Sequence, residues 1–81
     1  MRAFYSPEFK KALKQCPLEI EEKLYKQVAY LLQNLRYPSL HAKKYDEASG
    51  VWQARVDRNY RFYFLIEKDS YIILDVRNHP K

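Results

Sequence analysis

The sequence predicts an α+β fold of β-α-α-β-β-β order, in which a helical hairpin covers one face of a small, mainly antiparallel sheet. Two patterns carry this prediction. In residues 17–35, apolar side chains recur every three or four positions, which is typical of an amphipathic helix. In residues 51–66, apolar and polar side chains alternate, which is typical of a β-hairpin with one buried face. The chain has 81 residues, so we expect a single domain over residues 1–81.

The N-terminal half is predicted to contain a short strand and two helices. Residues 2–5 include aromatic side chains that favour a strand. Ser6 is a good helix N-cap and Pro7 a good first helical residue, so a first helix is expected over residues 7–15. Pro17 interrupts that helix and can open the second one, which we expect to end near residue 35.

The C-terminal half is predicted to be a meander of strands. Residues 41–45 fit either a loop or a short edge strand. Strands are expected at residues 51–56 and 60–67, joined by a turn at Arg58 and Asn59, because asparagine tolerates the left-handed backbone of such turns. After a second turn at residues 68–70, a strand over residues 71–76 alternates less cleanly, which favours an interior position in the sheet.

The hairpin alternation assigns its side chains to two faces. The face that the helices cover is expected to hold the apolar set, Trp52, Ala54, Val56, Phe62 and Phe64. The open face is expected to present Arg55 and Arg61, with Arg58 at the turn. The net charge is +5, and residues 36–61 hold six cations against three acids. This charge fits either an ordinary basic surface or an anionic partner such as nucleic acid.

Several classes of protein are excluded or disfavoured by composition. Cys16 is the single cysteine, which excludes an intrachain disulfide and fits a reducing compartment. No apolar run reaches the roughly 20 residues of a membrane span, and the N-terminal segment lacks the apolar core of a signal peptide, so we expect a cytoplasmic protein with no membrane partner. The single glycine excludes glycine-rich phosphate-binding loops. His41 and His79 have no partner residues at the spacing of a metal-binding motif, so no metal or cofactor is expected.

The cationic face suits cleavage of RNA without a metal ion. That reaction needs a base for the ribose 2′-OH, cations for the phosphorane charge, and an acid for the leaving 5′-oxygen. Arg55 and Arg61 are candidates for charge stabilisation, because guanidinium binds phosphate through two N–H groups. Lys43 and Lys44 can add charge or act as a base, and His79 can act as an acid or a base.

Four further residues are candidates for RNA binding on the same face. Tyr45 and Tyr63 can stack on a base or orient a phosphate, and Arg58 and Arg77 can contact phosphates. The candidates for catalysis also have a plain interpretation as solvated surface groups, which applies to Arg55, Arg61, Lys43, Lys44 and His79. The role of His41 is ambiguous.

Segments along nearly the whole chain resemble the RelE/ParE superfamily of bacterial type II toxin–antitoxin toxins. The segment FYSPEFKKALK resembles the strand of the family and the Ser-Pro-x-Phe start of its first helix. The run from LLQNLRYPSL through the Lys-Lys pair, Trp-x-x-Arg-Val and Asn-Tyr-Arg resembles the helix end, basic segment and hairpin. YIILDVRNHPK resembles the last strand, which leads to a histidine. The order and spacing of these segments are more specific than any one of them.

The resemblance implies a small sheet with an α-hairpin on one side and a separately encoded antitoxin, which would form a hetero-oligomer with the toxin. In the RelE-like branch it implies cleavage of mRNA at the ribosome without a metal ion, and hence inhibition of translation. Lys43 and Lys44 match the basic segment, Arg55 and Arg61 match the strand arginines, and His79 matches the C-terminal histidine of YoeB- and YafQ-like members.

The expected function is therefore that of a toxin that acts as a ribosome-associated mRNA endonuclease. Two alternatives stay open. The ParE branch shares the fold but inhibits DNA gyrase, and its members also have a basic surface. A degenerate member would retain only binding to the antitoxin.

Overall fold

A mixed five-stranded sheet and two helices make up the computed structural model, which describes residues 1–79. The elements in chain order are β1 (Arg2–Tyr5), α1 (Pro7–Lys14), α2 (Leu18–Gln33), a 3₁₀ turn (Pro38–Leu40), β2 (Lys43–Asp46), β3 (Val51–Arg55), β4 (Tyr60–Glu67) and β5 (Ser70–Asn78). The strand order in the sheet is β1-β5-β4-β3-β2. β1 is parallel to β5 and the other neighbours are antiparallel, so the predicted α+β class is confirmed.

The sequence left residues 41–45 as either a loop or a short edge strand, and in the structure residues 43–46 form the edge strand β2. Several predicted boundaries shift by one or two residues, and two of these shifts bear on the site. α2 ends at Gln33 rather than at residue 35, since Asn34 leaves the helical conformation and its Oδ1 accepts a 2.9 Å hydrogen bond from the Arg36 N–H. β5 continues to Asn78, beyond the predicted end at residue 76, and so carries the chain to His79 along the sheet.

Ser6 joins the first helix to the sheet. Its Oγ accepts a 3.0 Å hydrogen bond from the Phe9 N–H as the N-cap of α1, and donates a 3.1 Å hydrogen bond to the Leu74 carbonyl in β5. Pro7 follows as the first helical residue, where its missing N–H costs nothing. The predicted start of α1 is therefore confirmed.

The core lies between the helix pair and one face of the sheet. Its fully buried large side chains come from both layers: Phe9, Leu24, Leu31, Leu40, Phe62, Phe64 and Ile73. Burying one such side chain stabilises the fold by roughly 1.5–3 kcal/mol. Among residues 1–79, no helix is long and apolar enough to cross a membrane.

A β-bulge in β5 sets the polar pattern of the open face. Tyr63 lies opposite Asp75, whereas Phe64 lies opposite Ile73, so Leu74 is the extra residue on β5. This shift places Asp75 on the same face as Tyr63, and Val76, which is 4% exposed, on the core face. Without the bulge, the side chains after residue 74 would exchange faces.

Candidate functional site

The open face of the sheet aligns polar side chains in two rows across the strands. In one row Arg61 lies opposite Arg55 on β3 and Arg77 on β5. In the next row, Gln53 lies between Lys43 on β2 and Tyr63 on β4, and Tyr63 faces Asp75. Because side chains two apart on a strand share a face, the two rows are about 6.8 Å apart.

A cleft of about 340 Å³ lies at the end of this face, and we call it the histidine cleft. Its lining residues come from four strands or the segments beside them: His41, Ala42, Lys43, Gln53, Arg55, Arg61 and His79. Its volume is at the small end of the usual range for ligand sites, roughly 300–1,000 Å³. The structure thus brings together Lys43, Arg55, Arg61 and His79, four of the five residues that the sequence suggested for catalysis.

Arg61 differs from the expectation of an exposed arginine, because it is only 9% exposed. Its Nη1 donates hydrogen bonds to the carbonyl oxygens of three turn residues, Asp57 at 2.8 Å, Tyr60 at 3.0 Å and Arg58 at 3.2 Å. Alternation correctly assigned the face of Arg61, but it contains no information about the carbonyl groups that a turn directs toward a neighbouring side chain. One end of this guanidinium therefore supports the β3–β4 turn while the residue lines the cleft.

Asp57 supports the same turn from the other side. Its Oδ1 accepts hydrogen bonds from the backbone N–H groups of Asn59 at 2.8 Å and Tyr60 at 2.9 Å, and its Oδ2 lies 3.5 Å from the Lys23 ammonium. Burial alone would raise the pKa of Asp57, but the two N–H groups and the Lys23 charge together lower it. The Asn59 carbonyl in turn accepts a hydrogen bond from the His79 N–H, so the turn positions the backbone of His79.

Gln27 ties α2 to the cleft. This side chain is buried, and its Nε2 donates hydrogen bonds to the carbonyl oxygens of Arg55 at 2.8 Å and Ser39 at 3.1 Å. Its Oε1 accepts a 3.0 Å hydrogen bond from the Ser39 hydroxyl. One amide therefore holds both the end of β3 and the loop that leads to His41.

Lys44 is the predicted catalytic residue that the structure does not bring into the histidine cleft. It is paired with Trp52, whereas Lys43 is paired with Gln53, so the two lysines point to opposite faces of the sheet. The Lys44 ammonium lies 5.6 Å from the centre of the Trp52 ring and 3.7 Å from the Glu47 carboxylate. A strand rather than a loop at this position is what separates the adjacent lysines.

A second cleft of about 410 Å³, which we call the aromatic cleft, includes Tyr63 and Asp75 of the second row and Arg77 of the first. Tyr45 and Tyr63 line it with their rings edge to face, 5.0 Å between centres. The Arg77 guanidinium lies 5.6 Å from the Tyr63 ring centre, and its Nε is 2.7 Å from Asp75 Oδ2. The hydrogen bond to this carboxylate raises the pKa of Arg77, and burial raises the pKa of the Tyr63 phenol.

Three of the four predicted RNA-binding residues, Tyr45, Tyr63 and Arg77, therefore line the aromatic cleft. Arg58 is exposed at the β3–β4 turn and lines neither cleft as described over residues 1–79. Sequence reasoning left His41 undecided, although it lines the histidine cleft. Its position depends on a left-handed backbone after the 3₁₀ turn, for which the sequence offers no periodic signal. Within residues 1–79, no three His, Cys, Asp or Glu side chains cluster as a metal site would.

The comparison with family models identifies one family. Residues 3–81 match the model of the family described as the ParE toxin of type II toxin–antitoxin systems. No protein of curated function matches the sequence significantly.

Solved structures share the fold at low sequence identity. A YoeB/ParE toxin from Agrobacterium tumefaciens has a TM-score of 0.78 and 12% identity, covering 99% of this chain and 100% of that one. YafQ from E. coli also has a TM-score of 0.78, with 17% identity over 94% of this chain and 90% of that one. The RelB–RelE antitoxin–toxin complex from Methanococcus jannaschii gives 0.74 and 22% identity, over 93% and 88%.

Proposed function

Because this chain belongs to the ParE toxin family of type II toxin–antitoxin systems, within the RelE/ParE superfamily, we propose that it is a toxin that cleaves mRNA at the ribosome and so inhibits translation. The observation that carries the proposal is the histidine cleft. There Lys43, Arg55 and Arg61 supply positive charge beside the imidazole of His79. A cationic cleft with a titratable group matches the needs of phosphodiester cleavage by the ribose 2′-OH.

In this mechanism, the cleft cations have distinct roles. Arg55 is half-buried at the end of β3 and stabilises the charge that develops on the phosphorane oxygens. Arg61, which is nearly buried, adds charge to the cleft and positions the turn through its three carbonyl contacts. Lys43 is exposed, and its ammonium attracts the phosphate backbone. His79 transfers a proton to or from the reacting oxygens.

The aromatic cleft is the proposed binding site for a neighbouring base. The exposed ring of Tyr45 would take the base, since Tyr63 beside it is buried. Tyr63 is one row from the Arg55–Arg61 pair, so this base and a phosphate in the histidine cleft would belong to adjacent parts of one RNA strand. Arg77 would contact a phosphate or stack with the base, and Arg58 would extend the contact along the turn. Lys44, on the other face of the sheet, has no part in this mechanism.

We also propose an antitoxin as the protein partner, in a hetero-oligomer with this chain. Family membership supports this partner. Among the structures that share the fold, RelB–RelE from Methanococcus jannaschii, YoeB–YefM from Staphylococcus aureus and DinJ–YafQ from E. coli are toxin–antitoxin complexes.

Inhibition of DNA gyrase is the second candidate function, and the family that the sequence matches favours it, since that family carries the name of the ParE toxin. The two functions make opposite demands on the histidine cleft. A protein that inhibits gyrase by binding needs no proton-transfer group, whereas a nuclease does.

The deciding experiment is to induce the chain without an antitoxin in bacterial cells and map new mRNA 5′ ends. Cuts in translated frames that disappear with Arg55→Ala, but persist with Lys68→Ala in the distant β4–β5 turn, would support the nuclease. Growth arrest with intact mRNA and with loss of supercoiling by purified gyrase would support gyrase inhibition. No arrest would indicate a member that only binds its antitoxin.

A further inference from the structure

We infer that His41 and His79 form the acid–base pair of the cleavage reaction, so that His41 is a catalytic residue. This inference rests on the proposed nuclease function and adds a second proton-transfer group to it. Both histidines of the chain line the histidine cleft. His41 reaches it from the loop after the 3₁₀ turn and His79 from the end of β5, with Arg55 and Arg61 also in the lining.

The cleavage reaction needs two proton transfers, and the other cleft residues are poorly suited to them. An arginine does not deprotonate in proteins, so Arg55 and Arg61 stabilise charge only. A lysine becomes a base when burial removes its charge, and Lys43 is exposed. No carboxylate lines the cleft in the part of the chain that the structure describes. Among the lining residues that the structure describes, the two imidazoles are therefore the groups that can both accept and donate a proton.

The left-handed backbone of His41 also supports a functional role for this residue. Its φ is 47° and its ψ 44°, which lie in the left-handed region that is strained for residues other than glycine. Glycine or asparagine adopts this conformation more easily. The buried Leu40 and the Gln27–Ser39 hydrogen bonds fix the loop just before it. A strained residue held by its neighbours at the edge of a cleft is typical of a functional position.

The charged and titratable groups that face the pair are cationic or neutral: Arg36 and Tyr37 beside His41, Lys43 on β2, Arg55 on β3 and Arg61 on β4. These cations attract the RNA phosphate into the cleft.

The two proton transfers balance when one histidine starts the reaction neutral and the other starts it protonated. The neutral imidazole accepts the proton of the ribose 2′-OH while O2′ forms a bond to phosphorus. The protonated imidazole donates its proton to O5′ while the bond from phosphorus to O5′ breaks. The products are a 2′,3′-cyclic phosphate and a free 5′-OH, and the pair has exchanged protonation states. Proton exchange with water restores the starting states.

The test is single-turnover cleavage of ribosome-bound mRNA by the full chain, measured across the pH range in which imidazole titrates. The variant is His41→Asn, because asparagine accepts the left-handed backbone but transfers no proton. The matched control is Lys68→Asn, at another residue with a left-handed backbone, φ 49°, in the β4–β5 turn. His79→Asn completes the set, and thermal unfolding of each variant checks that it is folded.

The wild type is expected to show a bell-shaped pH–rate profile. His41→Asn should lower the rate by about 10²-fold or more and remove one limb of the profile, and His79→Asn should remove the other limb. Lys68→Asn should leave both limbs. A wild type that cleaves, with a His41→Asn variant of unchanged rate and profile, would overturn the inference alone. A folded wild type that cleaves nothing would overturn the proposed function.

Discussion

The side-chain amide of Gln27 donates a 2.8 Å hydrogen bond to the backbone carbonyl of Arg55, and so joins α2 to the strand that supplies a central arginine of the histidine cleft. The same amide bonds to the Ser39 carbonyl, two residues before His41. Two walls of the cleft are therefore fixed to one buried side chain of the helix.

Replacement of Gln27 by leucine should destabilise the protein. The Arg55 and Ser39 carbonyls would lose their donor next to an apolar side chain, at a cost of about 1–3 kcal/mol. Urea unfolding measures this change, and Gln33→Leu, an exposed position at the end of the same helix, is the matched control. An equal loss in both variants would show that the Gln27 hydrogen bonds contribute nothing to stability.

Arg55 and Arg61, which are paired across β3 and β4, should contribute differently to the stability of the fold but similarly to RNA binding. Arg61→Ala removes the donor of three turn carbonyls and should cost about 1–3 kcal/mol of folding free energy, whereas Arg55→Ala should cost clearly less. Both should lower RNA affinity. The free energy of unfolding in denaturant and the RNA affinity are measured for each variant to test this difference. A larger loss of stability for Arg55→Ala would contradict the assignment of Arg61 to the turn.

The acid sensitivity of the fold should depend on Asp57. Its pKa is lower in the folded chain, so its ionised form stabilises the fold above the ordinary aspartate pKa of about 3.9. That contribution is lost as the pH falls through the folded pKa. Asp57→Asn keeps the Oδ1 acceptor but cannot titrate, so its free energy of unfolding should fall less steeply below about pH 4.

Urea unfolding at several pH values measures the Asp57 effect. Asp69→Asn, at an exposed turn, is the matched control and should keep the acid dependence of the wild type. If Asp57→Asn had the same dependence as wild type, the turn carboxylate would not be the group responsible.

Tyr45 should contribute to RNA binding through its ring. Tyr45→Ala should weaken binding of a short single-stranded RNA by about tenfold, since one stacked base is worth about 1–3 kcal/mol, and Tyr45→Phe should retain most of the affinity. Fluorescence anisotropy measures both. Tyr25→Ala, an exposed tyrosine on α2, is the control. If Tyr45→Ala bound the RNA as tightly as the wild type, the aromatic cleft would not be part of the RNA-binding surface.

Both helices and four of the five strands could be predicted because each has a local signal, whereas β2 was left open. Ser6 and Pro7 mark the start of α1, and the alternation around Arg55 and Arg61 gives the faces of the hairpin. The site was predicted less completely, since its details depend on contacts between distant residues. The burial of Arg61 depends on turn carbonyls, and the separation of Lys43 from Lys44 depends on an edge strand that sequence left open.

His41 is the clearest example of a site residue that the sequence alone could not identify. Nothing periodic distinguishes this residue from an ordinary loop histidine. It reaches the cleft because Leu40 is buried, Gln27 holds Ser39, and the backbone then turns left-handed. Each of these three conditions involves a part of the chain outside the segment itself.

The pairing of β1 with β5 has a consequence for synthesis. Arg2–Tyr5 is synthesised well before its hydrogen-bonding partner β5, and the Ser6–Leu74 bond spans 68 residues. Contacts of such long range form slowly and only when both segments are free. The sheet therefore closes only after β5 has emerged from the ribosome, so the histidine cleft, which His79 lines beyond that strand, cannot assemble earlier.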